Sequence, residues 1–306
     1  MAERGSVWGL WLIVGCYRLF GRPLSLILVH AIVVYYFLTI PLARAASREY
    51  LRRIAAVPDG ARALRRPPDG VASFLHFRAF ALSIFDRIVL WLGRDGSFEF
   101  EVSGTDAIRG VVRPDRGAIV VGAHLGSFDA LRALAERDAL VVNVLMFTRN
   151  APRINAVLRQ LSPRAEMRVI EARPGAFETA LRIRRCIQRG EIVAVLGDRL
   201  ESGDTGRACR VPFLGAPAAF PEAPYHLAGL LDCPLFFMVA LRSGPKRYRV
   251  FADLLAERVS LPREEREKRI RELVAAYASR LEHYCLSAPY QWFNFYDFWN
   301  GSERSL

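Results

Sequence analysis

Lysine is almost absent. Lys246 and Lys268 are the only two among 43 basic side chains, so a net charge of +12 is carried by arginine. Such a surface attracts anionic lipid, nucleic acid or an acidic protein. Cysteine is sparse and scattered: Cys16, Cys186, Cys209, Cys233 and Cys285 form no C-x-x-C pair and are odd in number. That pattern argues for a reducing compartment and against a metal site. The five histidines agree, since His30, His76, His226 and His283 fall into no ligand spacing. No G-x-S-x-G elbow surrounds Ser127, which weighs against a serine hydrolase. The arginines are dispersed and no recognition motif accompanies them, which weighs against nucleic-acid binding. No internal repeat or low-complexity tract interrupts the chain.

The chain does carry two apolar runs near its start. The 306 residues suffice for one large domain or two small ones, and a mean hydropathy of +0.14 is slightly greasy for a soluble protein. Residues 7–17, "VWGLWLIVGCY", are too short to cross a bilayer, and Arg18, Gly21, Arg22 and Pro23 divide them from the second run. Residues 24–43, "LSLILVHAIVVYYFLTIPLA", would measure about 30 Å as a helix, the thickness of a hydrocarbon core. They read as a membrane segment, either spanning or deeply anchored. A cleaved signal peptide fits poorly and a buried core helix is the alternative. Arg44, Arg48, Arg52 and Arg53 come next, against Glu49 alone, which sets the C-terminal body on the cytoplasmic side. "VPDGARALRRPPDG" (57–70) is the clearest punctuation in the chain. It divides an N-terminal anchor region, 1–56, from a catalytic body, 71–306.

In that body, apolar strand-like runs such as "GAIVVGA", "LVVNVLMF", "EIVAVLGD" and "CPLFFMVAL" alternate with helical patterns, among them "APRINAVLRQL". The alternation predicts an α/β fold with a mainly parallel sheet flanked by helices. At one strand exit stands "VGAHLGSFDA" (121–130). On an unbroken helix His124 and Asp129 would point about 140° apart, and Gly126 is the residue that lets the chain turn between them. The spacing suits a carboxylate on one imidazole nitrogen while the other takes a proton from a hydroxyl. A structural account is also available, with Ser127 capping a helix and Asp129 at the positive end of its dipole. Arg149, in "TRNAPR", and Asp198 with Arg199 follow other strands and fall at the same sheet edge. Glu222, in "FPEAP", opens a helix or joins the site.

These residues resemble a family. His124-x4-Asp129 is similar to the motif shared by glycerolipid acyltransferases and the late acyltransferases of lipid A biosynthesis, the second group being the nearer. "RVPFLGAPAAFPEAPYHLAGLLDCPLFF" (210–237) and the "GDR" at 197–199 resemble stretches of that group. "YQWFNFYDFW" (290–299) resembles the C-terminal signature of a subgroup found with bacterial aryl polyene pathways. Two departures bear on the acceptor: Asp129 stands where lipid A enzymes commonly carry Glu, and "GDR" where many have a second acidic residue after Gln. The resemblance implies acyl transfer from acyl carrier protein or coenzyme A to a hydroxyl of a lipid or glycolipid, at the cytoplasmic face of a bacterial inner membrane. His124 would be the general base and Asp129 would set its tautomer. Backbone N–H groups around Gly126 or an arginine would hold the oxyanion, and Arg149, Asp198, Arg199 and Glu222 would bind substrate. No cofactor beyond the thioester and no nucleic acid is implied. A membrane-tethered binding module without turnover is the alternative.

Overall fold

Residues 7–92, 97–146, 168–171, 177–200 and 207–299 are described by the computed structural model of the chain. The strands β2 (Ala118–Gly122, AIVVG) and β5 (Ile192–Leu196, IVAVL) are uncharged and rich in β-branched residues. Runs of that kind belong inside a sheet covered on both faces. They pair with each other in parallel at the centre of a seven-stranded sheet, in the order β1-β9-β8-β2-β5-β3-β4. The remaining strands are β1 (Glu99–Ser103), β3 (Val142–Met146), β4 (Arg168–Glu171), β8 (Leu235–Gly244) and β9 (Arg247–Ala256). Every pairing is parallel except β8 with β9. Those two are joined by Pro245 and Lys246 alone, and a two-residue connection allows only an antiparallel pair. The mainly parallel sheet expected from the sequence is therefore present, with one hairpin inserted.

Alternate residues of β2 face opposite layers. Ala118 and Val120 point to α5 (Thr105–Val111) and α6 (Phe128–Arg137), on the side that also carries α1 (Val7–Thr39) and α4 (Gly70–Trp91). Ile119 and Val121 point to the larger core beneath α2 (Pro41–Ala56), α7 (Phe177–Gln188), α8 (Ala223–Leu231) and α9 (Arg266–Ser287). The short α3 (Gly60–Leu64) and the hairpin of β6 (Ala208–Phe213) and β7 (Ala216–Pro221) close that second side. From α2, Tyr50, Leu51 and Ile54 enter this same core. The helix expected at "APRINAVLRQL" lies outside the described residues, as does Arg149.

The apolar N-terminus bends. Gly21 takes φ 71° and ψ −164°, which breaks α1 into limbs 7–20 and 22–39; the second ends at Thr39, because Pro41 opens α2. The second limb runs along α4 in the opposite direction. Arg22 Nη2 donates to Asp86 Oδ1 at 2.8 Å, Arg78 Nε donates to His30 Nε2 at 2.8 Å, and Phe37 packs edge-on against Phe74 at 5.5 Å. One face of α1 is buried through Val14, Tyr17, Val29 and Val33. The other leaves Leu12, Leu19, Phe20, Ile27, Tyr35 and Leu38 exposed.

Candidate active site

Strand register assembles the site. Gly122 of β2 lies opposite Leu196 of β5, and the pairing continues as Gly197 N–H donates to the Gly122 carbonyl at 3.0 Å. His124 and Asp198 each stand two residues beyond the end of their strand, at the carboxyl edge where open α/β sheets gather ligands. His124 Nδ1 meets Asp198 Oδ1 at 2.8 Å, and the His124 backbone N–H donates to Asp198 Oδ2 at 2.9 Å. Trp292 Nε1–H donates to the same Oδ2 at 3.0 Å. A carboxylate only accepts, so Nδ1 carries the proton and Nε2 keeps its lone pair. Among the described residues Nε2 has no hydrogen-bond partner.

The electrostatics favour a neutral imidazole beside an ionised carboxylate. Burial lowers the His124 pKa from its ordinary value, and the positive charge of Arg199 and, less strongly, of Arg87 adds to this against the opposing pull of Asp198. The imidazole side chain remains 30% exposed, so a substrate can reach it. Asp198 is fully enclosed. Burial works to raise its pKa, but the imidazole, Arg199 and the His124 N–H outweigh it and hold the group at about 2.

The carboxylate on the imidazole is thus Asp198, where the sequence pointed to Asp129. Gly126 does turn the chain, with φ 70°, and a Cβ there would meet the Ala240 carbonyl oxygen at 2.1 Å. Ser127 then caps α6 by accepting from Ala130 N–H at 3.2 Å. Asp129, buried in the first turn of α6, instead accepts from Arg87 Nε at 2.5 Å and from Trp91 Nε1 at 2.6 Å. Both donors come from α4. The backbone N–H of Gly126 is taken by the Gln291 carbonyl and that of Ser127 by Ala240, each at 2.9 Å, so neither is free for an oxyanion. Arg87 uses only Nε, and its Nη groups have no partner among the described residues.

Arg199 lies close enough for its charge to act on His124 and Asp198; its Nη2 donates to the Phe293 carbonyl at 2.7 Å and its guanidinium lies 5.4 Å from the Tyr296 ring centroid. Glu222 takes the N-cap position of α8 and pairs with His226 Nε2 at 3.2 Å. Arg87, Trp91 and Trp292 escaped the sequence reading. For Trp292 a signal existed in the aromatic "YQWFNFYDFW", a stretch that packing alone would also explain; for Arg87 nothing in the local pattern of α4 distinguishes it from a surface arginine.

A family model described as bacterial lipid A biosynthesis acyltransferase matches residues 75–300. Among solved structures, the chain is similar to the 1-acyl-sn-glycerophosphate (LPA) acyltransferase PlsC from Thermotoga maritima, at 18% identity over 76% of this chain and 94% of that one, with a TM-score of 0.34. A search of curated proteins finds no match.

Proposed function

Since the chain belongs to the bacterial lipid A biosynthesis acyltransferase family, we propose that it transfers a fatty acyl group from the thioester of acyl carrier protein or coenzyme A to a hydroxyl of a lipid or glycolipid, with His124 as general base. The observation that carries this is the imidazole with Nδ1–H held by a buried carboxylate and Nε2 open at the sheet edge. In this reading Nε2 takes the proton of the acceptor hydroxyl as its oxygen attacks the thioester carbonyl. Asp198 stabilises the imidazolium that results. The tetrahedral intermediate places a negative charge on the former carbonyl oxygen, and Arg87 and Arg199 are the cations to meet it. Collapse breaks the C–S bond, and the leaving thiolate recovers the proton from Nε2. The product ester and free thiol balance the reaction without another group.

A water-insoluble acceptor suits the exposed apolar face of α1. Because the second limb lies along α4, which carries Arg78, Asp86 and Arg87, a spanning orientation would drag charged groups into hydrocarbon. In this reading α1 lies in the interface and the arginines after it meet anionic headgroups at the cytoplasmic face of the inner membrane. The resemblance of residues 290–299 to the aryl polyene subgroup makes a lipid of that pathway the first acceptor to try. The deciding experiment is mass spectrometry of lipids from cells with the gene intact, deleted, or encoding His124→Gln. Loss of one acylated species in both altered strains is expected. An identical lipid profile in all three, with folded variant protein present, would refute the reading in favour of a binding module.

A further inference from the structure

Asp198 receives three hydrogen bonds, and two come from His124 itself. One of those two is the imidazole the carboxylate serves and the other is the backbone N–H of the loop that bears it, so neither ties Asp198 to anything outside the His124 loop. The third donor is the Trp292 indole, which lies fully buried with ring centroids 5.0 Å from those of Tyr50 and Phe298 and 5.3 Å from that of Phe213. Among the described residues it is the one donor to Asp198 that is independent of His124.

Trp292 is itself anchored through its backbone. Its carbonyl accepts from His76 Nε2–H at 2.8 Å, which leaves His76 Nδ1 to accept from Ser47 Oγ at 3.0 Å, while Ser47 accepts from Ser73 Oγ at 3.0 Å. His76, Ser47 and Ser73 are all fully buried, and together they tie Trp292 to α2 and α4. The residues on either side of Trp292 hold the catalytic loop: Phe293 N–H donates to the His124 carbonyl at 2.7 Å, and the Gln291 carbonyl accepts from Gly126 N–H at 2.9 Å. One segment therefore fixes both the loop that bears the base and the carboxylate that orients it.

We propose that Trp292 is a positioning residue, whose indole N–H holds the Asp198 carboxylate in the rotamer that keeps the His124 proton on Nδ1 and the lone pair on Nε2. The proposal deepens the acyl-transfer reading and rests on it for its kinetic consequence, but not for its spectroscopic one. Without the N–H, Oδ2 loses a donor, the carboxylate turns, and the imidazole samples the tautomer with its proton on Nε2, which cannot accept from a hydroxyl.

The test uses full-length protein in detergent, with ¹⁵N-labelled histidine and the His124 signals assigned by their absence in His124→Gln. Trp292→Phe is compared with wild type; because an indole is lost from an aromatic cluster, a second protein carries 3-benzothienylalanine at 292, which keeps the fused-ring shape with sulfur in place of N–H. In wild type above the His124 pKa the nitrogen shifts should report Nδ1–H alone. In both altered proteins they should move toward a mixture of tautomers, and kcat should fall about tenfold, the order of one hydrogen bond to a charged group, with KM within about twofold. A single Nδ1–H tautomer in the folded benzothienyl protein would overturn the proposal, whether or not kcat falls. A tautomer mixture with no turnover even in wild type would sustain the positioning role and refute acyl transfer instead.

Discussion

Two buried carboxylates bracket the same strand. Glu191 immediately precedes β5 and Asp198 stands two residues after it, and both sit below their ordinary pKa against the opposing effect of burial. Among the described residues Glu191 is met by groups that donate: Asn143 Nδ2 at 2.7 Å, Arg189 Nε at 2.9 Å and the Cys186 thiol, whose own pKa burial and this carboxylate raise, with Arg168 at 3.6 Å. Asp198 is met by an imidazole whose second nitrogen has no hydrogen-bond partner among the described residues. Burial and a lowered pKa therefore do not distinguish a site from a structural clasp. The distinction is a partner that can change its own protonation at the carboxyl edge of the sheet.

The contrast between the two carboxylates should show most strongly in His124→Gln, which removes the proton acceptor and should cost two to four orders of magnitude in kcat in an acyl-transfer assay, on the order of 10²–10⁴-fold. With His124 intact, kcat/KM should fall as pH drops through a midpoint below the ordinary histidine value, because only the neutral imidazole accepts a proton and its pKa in the free protein is lowered. A midpoint above about 6.5 would contradict the assigned electrostatics. Asp129→Asn should be milder, about tenfold, since it loosens Arg87 and leaves the imidazole and Asp198 joined. Its effect should vanish in an Arg87→Ala background, a coupling that a double-mutant cycle measures.

Glu191→Gln probes the structural member of the pair. It should leave kcat unchanged at temperatures where the protein is folded, while chemical denaturation shows a loss of about 1–3 kcal/mol, because the amide keeps one acceptor oxygen and one of Asn143 and Arg189 loses its partner. The last effect is one of stability against pH and belongs to His76, whose burial lowers its pKa to about 4. Between the unfolded value and that figure the unfolded chain binds a proton that the folded one does not, so stability falls as pH falls through that window, by about 3 kcal/mol in full. His76→Phe should flatten this slope in melting curves taken from pH 7 to pH 4.

The sequence disclosed what is local. Apolar runs marked β2 and β5, Gly126 marked the turn, Ser127 the cap, and Arg18 through Pro23 the break in the apolar N-terminus. It misassigned the partner of His124 because spacing along the chain was read as proximity. Asp129 is five residues away but turned toward α4, whereas Asp198 is 74 residues away and adjacent through the register of two parallel strands. Strand order carries that information, and periodicity does not report it. The same holds for Arg87 and Trp292, which reach the site from α4 and from the segment after α9.

The clamp by residues 291–293 also governs when the site comes into being. His76 and Trp292 are 216 positions apart, and Gly126 waits for Gln291. During synthesis at roughly 5–20 residues per second, the apolar limbs of α1 can meet lipid on the order of ten seconds or more before the segment that completes the catalytic loop has been made. A nascent chain captured in this way would be at the membrane while its imidazole still lacks both a fixed carboxylate and a fixed loop. Contacts of such long range also close slowly in the released chain. Activity should therefore appear as the last event of folding, after the sheet has formed.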